Sequence, residues 1–582
     1  MRRLSAVSVL LFALASTVSF CQCTFPASPS GNPLKYEFEP LLTKDKMALR
    51  VTLEFDGGPR GTVKLELPSE WAGQQRVEKS IAELNALSPD TTLRDTTSPS
   101  EKEIRFSPNT RVRLSYILVK DWDGPLNGGT RFRADLSPDY FHIVGVTSLV
   151  YPEIDPHRVI DVQFDWQKLP PTWSLATSFA TDDRCQSFHG MWEEALNSLF
   201  VGGDYRIYHT TISGNVLNFA IRGKWSFTDD DWVSQVRKIV GFERTFWQDN
   251  NYPYFLVTLT PLGQDHGSTG GTALTSAFMM HLSRLDTVTP FILGTIAHET
   301  FHGWNPYKIG YVPGSDYPIS WFFEGFTDYY QHVMLFRAGL ISFPEYVATV
   351  NQQLRNYEVN EGTEISLQQF IQRHSADPSI LDRLDYRRGA VLAMWLDGTI
   401  RRESNHRSSL DSLMFNLFAQ NTAYERRHHS QPMRLDNQRI YRAASRYLDR
   451  ASKKEFRTYV EKGGSIRVPE AALGPCVKSH IETSWKFDLG FDRKSVTSDD
   501  KKAFGVEPGS EAFKAGLRDG QQLAGWSFDF GDPSKQVRLT IKAEDGKRTL
   551  TYYPRGSEVS LQQFSLDGAR YSSNPGTCVS DW

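Results

Sequence analysis

The stretch IAHETFHGWN, residues 296–305, sets two histidines four positions apart with a glutamate directly after the first. Four residues make about one helical turn, so on a helix His298 and His302 stack on one face and their imidazoles reach one point. The flanks favour that helix. Thr289 suits an N-cap and Pro290 the first helical position, and Phe291, Ile292, Leu293 and Ile296 supply an apolar set. Zinc accepts neutral imidazole nitrogen at roughly 2.0 to 2.1 Å, and a hydrolytic site adds a third protein ligand and a water. The motif alone supplies two ligands and turns up by chance in large proteins, so the third has to come from a facing element.

SWFFEGFTDYYQHV, the next helical text, offers Glu324 beyond a loop bearing Gly and Pro, long enough to reverse the chain. Asp328 follows one turn later, placed to accept the proton on the far nitrogen of a ligating imidazole, with His298 as its expected partner. Phe322, Phe323, Phe326, Tyr329 and Tyr330 crowd these carboxylates, and a carboxylate in apolar company needs a partner. The bland alternative is a solvated acidic pair. His332 is expected off the ligand face, and His266 and His281 are left without a role.

With 582 residues, the chain exceeds one hydrophobic core. Its text reads as a multidomain α+β protein. Period-two segments such as MALRVTLEF and GTVKLELP, punctuated by turn residues, predict an antiparallel β domain over 30–172. Mixed text over 173–335 holds the histidine motif, helical patterns fill 336–468, and short strands return over 469–575. A formal charge of −3 gives no basic field for phosphate backbones, so nucleic acid is not an expected partner. Residues 1–23 have the layout of a secretory signal: Arg2 and Arg3, an apolar run, then small and polar residues. Export to a secreted or periplasmic location is the expectation, with an uncleaved anchor as the alternative and the cut left open. No second run of membrane length follows. Cys21 and Cys23 leave with such a signal, and Cys476 and Cys578 then bracket the last segment either as a bridge or as separate thiols.

AHETFHGWN followed by WFFEGFTDYY resembles the glycyl-aminopeptidase family of zinc metallopeptidases, within the gluzincin group that shares a thermolysin-like catalytic domain. The resemblance implies that His298, His302 and Glu324 hold one Zn2+ per chain and that Glu299 is the general base for hydrolysis of a peptide or protein substrate. LDYRRGAVLAMWL places Tyr386 just before a helix. Its spacing to Arg388 and Gly389 resembles the Tyr-x-Lys-Gly segment of gluzincin aminopeptidases, which makes it a candidate oxyanion donor; otherwise it packs the start of that helix.

Two features complicate the resemblance. Relatives carry a Gly-rich strand with a glutamate that holds the substrate's α-amine, whereas GQDHGSTGGTALTSAF keeps Gly270 and Gly271, able to admit a peptide backbone, and has only Asp265 as an acid. Aminopeptidase and endopeptidase action therefore both stay open. At the other end, KFDLGFD and VEPGSEAFKAGLRDGQQLAGW resemble a PDZ domain. There Leu489, Gly490 and Phe491 form the expected loop for the carboxylate of C-terminal peptides. A small β module without ligand, or a non-catalytic peptide-binding scaffold, are the alternatives.

Overall fold

The computed structural model describes residues 23–25, 31–314, 317–360, 362–376, 383–428, 431–497, 500–543 and 546–579. The signal-like stretch before Cys23 lies outside them. Cys23 itself is disulfide-bonded to Cys185, so a cut behind residue 23 would remove half of a bridge.

The chain divides into two compact units: one takes the chain up to Ser226 with Tyr252–Asp286, the other Phe227–Asn251 with everything from Thr287. In the first, a six-stranded sheet has the order Cys185–Met191, Val159–Asp165, Leu34–Leu42, Met47–Asp56, Arg111–Leu118, Ile81–Ala86. Alternation in MALRVTLEF works as expected. Met47, Leu49, Val51, Leu53 and Phe55 face the core while their neighbours face outward. The sheet is not wholly antiparallel, because Leu34–Leu42 pairs in parallel with Val159–Asp165. Nor does this domain end at residue 172. Cys185–Met191 pairs with Val159–Asp165, and Leu199–Gly203 with Tyr140–Val144, so LPPTW is a turn between strands of shared sheets.

Helix α1 (Trp192–Leu196) belongs to this unit, as does a mixed five-stranded sheet. Its order is Arg206–Ile212, Asn215–Ile221, Tyr254–Leu262, Ala277–Ser283, Thr269–Leu274. The two central pairings are parallel, and the apolar text of Tyr254–Leu262 and Ala277–Ser283 is buried, as parallel strands covered on both faces require.

The second unit is helical first: α2 (Asp229–Phe246), α3 (Pro290–Phe301), α4 (Ser320–Arg337), α5 (Phe343–Val359), α6 (Leu367–Ala376), α7 (Leu384–Glu403), α8 (Leu410–Arg427), α9 (Asn437–Ala444) and α10 (Arg450–Lys462). Local chemistry sets their starts. Thr289 accepts from the Ile292 N–H at 3.4 Å with Pro290 behind it, and Ser342 and Glu345 form a reciprocal capping box. The expected 173–335 domain is therefore split: its strands and α1 lie in the first unit, and α2, α3 and α4 share the second with α5 to α10. What joins α4 to α7 is backbone contact. A Cβ on Gly325 would meet the Gly389 Cα at 2.3 Å, and one on Gly389 would meet the Trp321 carbonyl oxygen at 2.0 Å. Around this crossing Tyr329 donates to Asp397 and Tyr330 to Asp411. No helix among the described residues is long and apolar enough to cross a membrane.

Past residue 470, strands Val477–Phe487 and Arg555–Leu566 pair, and a three-stranded sheet encloses a small core that includes Leu489, Phe491, Leu517 and Leu539. Cys476 and Cys578 are bonded. The module is docked on α5: Asn351 donates to the Phe564 carbonyl at 2.8 Å and accepts the Phe564 N–H at 2.7 Å. In the expected carboxylate loop Gly490, with φ +71°, gives its N–H to the Asp488 carboxylate at 2.7 Å, and the side chains of Leu489 and Phe491 lie in the core.

The glycine crossing is testable. Gly389→Ala should destabilise by about 1 to 3 kcal/mol through overpacking, seen as a lower midpoint in denaturant at unchanged slope. An unshifted midpoint would mean that α4 and α7 do not meet backbone to backbone.

Candidate metal centre

Helix α3 carries His298 and His302 one turn apart, and α4, after reversal of the chain, faces them with Glu324. The His298 and His302 Nε2 atoms lie 3.1 Å apart, and Glu324 Oε2 lies 3.2 Å from the first and 3.3 Å from the second. Three donors held at roughly 2.0 to 2.1 Å from one ion in tetrahedral directions are separated by about 3.3 Å. The triangle fits zinc. Among the described residues this is the one group of three such side chains close enough to share an ion.

The ring nitrogens are oriented from behind. His302 Nδ1 lies 2.8 Å from the Asn305 backbone carbonyl oxygen, which only accepts, so Nδ1 keeps a proton and Nε2 is the nitrogen left to bind an ion at the shared point. Asp328 Oδ1 stands 3.9 Å from His298 Nδ1, too far for a hydrogen bond but within electrostatic reach, and receives the Gln331 amide at 2.7 Å. Burial alone would lower the His302 pKa, but the Glu324 carboxylate, with Glu299 and the Asn305 carbonyl, raises it to about 9. Burial pushes Glu324 up, and the two imidazoles outweigh it to hold the carboxylate well below its usual range. Each shift shows a buried anion calling for positive charge.

Glu299 follows His298 on α3, half-buried, near enough for its charge to act on His302. Tyr386 lies in the first turn of α7 rather than before the helix, because α7 starts at Leu384. Its ring stacks on His298 with centroids 5.8 Å apart, and the Arg383 guanidinium sits 4.5 Å from its centroid. Burial first, then the Glu324 carboxylate, hold the phenol far above its ordinary pKa and keep it an O–H donor. Arg388 turns away from the metal-ligand group and donates to the carbonyls of Gly362, Thr363 and Ile365.

Gly270 and Gly271 lie in the first unit, on the edge strand Thr269–Leu274 opposite His281 and Met280. A Cβ on Gly270 would meet Arg131 Nε at 2.9 Å, so glycine there accommodates a side chain of the same unit instead of an open face. Asp265 is paired with Arg284. His281 is fully buried against His142, ring centroids 5.0 Å apart, and burial holds its pKa well below the usual value. His332 accepts from Gln331 at 3.1 Å and is not one of the grouped ligands, although it lies near enough to Asp328 and His298 for their charges to act on it.

Sequence reasoning assigned no work to Asn305. The fully buried Asn305 side chain donates to the carbonyls of Phe322 and Phe323 at 3.3 Å and to Thr327 Oγ1 at 3.2 Å, while the backbone carbonyl of the same residue orients His302. One residue thus ties the end of the histidine helix to the helix carrying the third ligand. Beside it, Trp304 Nε1 and Lys308 both donate to Asp249, at 2.9 and 2.6 Å. The signal was present in the letters HGWN.

Comparison with known proteins places this geometry. Residues 292–405, which contain all three ligands, Glu299, Asp328 and Tyr386, match the model of the M61 glycyl aminopeptidase family. Over that segment, about a fifth of the chain, the protein is similar to the M61 glycyl aminopeptidases. An aminopeptidase N family protein from Idiomarina loihiensis shares the fold at a TM-score of 0.70 and 15% identity, over 92% of this chain and 98% of that one. An M1 zinc metallopeptidase from Deinococcus radiodurans bound to a Tyr-Ser-Ala substrate aligns at a TM-score of 0.46 and 13% identity, over 76% and 98%. Aminopeptidase A from Legionella pneumophila aligns at 0.45 and 10%, over 92% and 57%. No curated protein matches by sequence.

Because the Asn305 side chain ties to α4 the segment whose backbone carbonyl orients His302, Asn305→Ala, which keeps that carbonyl but frees the segment, should weaken zinc about tenfold, the lower end of the usual cost of disturbing a ligand's orientation. Competition with a chromogenic chelator measures this. Undiminished affinity would show that His302 is oriented without it.

Proposed function

We propose that the protein is an exported peptidase of aminopeptidase type that holds one Zn2+ per chain on His298, His302 and Glu324 and uses Glu299 as general base and Tyr386 as oxyanion donor. The observation that carries this is the meeting of five such side chains from α3, α4 and α7 within one unit. A bound Zn2+ supplies Lewis-acid polarisation of the scissile carbonyl and acidifies a water.

The chain's own groups do the rest. The Glu299 carboxylate takes a proton from the attacking water as its oxygen bonds to the carbonyl carbon, then passes that proton to the nitrogen as the C–N bond breaks. Tyr386 donates its O–H to the carbonyl oxygen as negative charge develops there. A phenol kept neutral by burial is suited to this. Export is supported by the signal-like N-terminal text and by two disulfides, which persist in oxidising compartments.

Glu299→Gln should keep its zinc and lose turnover by about 10² to 10⁴, whereas Tyr386→Phe should lose about 10² in kcat at little change in KM. Metal content measured with the kinetics separates chemistry from loss of the site; full activity in either zinc-loaded variant removes that residue from the scheme. Exopeptidase action is tested with one peptide in free and acetylated form. Aminopeptidase action requires strong preference for the free amine, and equal cleavage assigns an endopeptidase.

A further inference from the structure

The carboxy-terminal helices of the second unit carry a charge pattern that catalysis does not use. Residues 437–462 hold eight Lys and Arg against three Asp and Glu, in a chain whose formal net charge is −3. No run of consecutive basic residues shows this, because the cations recur at helical spacing. On α10, Arg450, Lys454 and Arg457 follow at steps of four and three and so share one face, and all three are exposed. Before them Arg442 and Arg446, four apart, are exposed as well. Arg457 reaches back over the ring of Tyr441 on α9, 5.2 Å from its centroid, which ties the two helices into one surface.

The acids of this stretch are largely engaged locally. Asp449 caps α10, accepting from the Ser452 N–H at 2.8 Å, and Glu455 accepts from the Tyr459 hydroxyl at 2.7 Å. Just ahead of α9, Asp436 caps that helix and pairs with Arg434. Two of the cations are also poorly placed for the helix they stand on. Arg450 and Lys453 occupy the first turn of α10, which has no acidic residue, and the helix macrodipole disfavours positive charge there. Helix stability does not account for them.

We infer that α9 and α10 form a docking surface for an acidic polysaccharide, a linear chain bearing repeated sulfate or carboxylate groups. Successive cations on α10 advance by about 6 Å and 4.5 Å along the axis, a spacing suited to densely repeated negative charge. A lipid surface fits less well, since none of the exposed large hydrophobic side chains among the described residues lies in 437–462 to enter a bilayer. Such binding is electrostatic and driven by counterion release, so it weakens steeply with salt.

The test uses the full-length, zinc-loaded protein and size-defined heparin as the probe. Binding is measured by calorimetry across a NaCl series, beside vesicles of phosphatidylcholine with phosphatidylglycerol. The expected result is heparin binding with a steep salt dependence. It should fall about tenfold or more, with a shallower salt slope, in Arg450→Glu/Lys454→Glu/Arg457→Glu, and partly in the triple Gln version. Arg105→Glu, an exposed arginine of the other unit, should bind as the parent does. Hydrolysis of a short peptide should be equal in all of these, which verifies folding. The inference is overturned if the parent does not bind heparin, if the α10 variants bind unchanged, if Arg105→Glu loses as much, or if the vesicles bind as tightly through the same three residues.

Discussion

Helix α4 is the constraint on which the second unit depends, because two consecutive residues bind it to two different neighbours. Glu324 completes the triangle with the histidines of α3, while Gly325 lets α7 approach to backbone contact. Consecutive helical positions point about 100° apart, so α3 and α7 must pack on adjacent sides of α4. That arrangement carries Tyr386, in the first turn of α7, onto the ring of His298. The catalytic geometry follows from a steric property of two glycines as much as from the ligands. A side chain at either position would push α7 outward and take the phenol with it.

Electrostatics then fixes what this packing leaves free. A carboxylate buried among Phe322, Phe323 and Phe326 is costly unless positive charge stands beside it. The imidazoles answer that need, and the opposite shifts of His302 and Glu324 express it. The Asn305 backbone carbonyl decides which nitrogen keeps its proton, since one held on Nδ1 makes Nε2, beside Glu324, the nitrogen that yields to an arriving cation. The ligands are therefore set in the ion-binding tautomer by groups outside the triangle, and little rearrangement is needed when a cation arrives.

Much of this was legible in the letters, for a physical reason. Helix phase places residues three or four apart on one face whatever the tertiary structure, so His298, His302, Glu324 and Asp328 could be read from spacing, and Thr289 with Pro290 announced where α3 starts. The features that escaped depend on distant chain. Asn305 reads as one polar letter after a tryptophan until α4 folds over it. The parallel pairing of Leu34–Leu42 with Val159–Asp165 joins residues more than a hundred positions apart, and alternation cannot tell a parallel neighbour from an antiparallel one. LPPTW looked like a boundary because prolines punctuate turns and domain junctions alike. The bond from the Gly490 N–H to Asp488, two residues earlier, was not read either, because an acid next to a conspicuous glycine is inconspicuous.

The covalent ties are placed where packing contributes least. The metal-binding group needs none, since α3, α4 and α7 are buried against one another around Phe301, Tyr330 and Trp321. The bridges instead fasten peripheral segments. Cys23, in a short described piece with partly exposed neighbours, is held to the strand that begins at Cys185, and Cys476 closes with Cys578 beyond the last long strand. These pairs span 162 and 102 positions, and loops of that length remove about 4 to 5 kcal/mol of chain entropy from the unfolded state in the simplest account. Stabilisation of that kind acts on the whole chain without touching the geometry at the triangle. The centre can be tuned by hydrogen bonds worth about 1 kcal/mol each, while resistance to unraveling from the edges is supplied elsewhere.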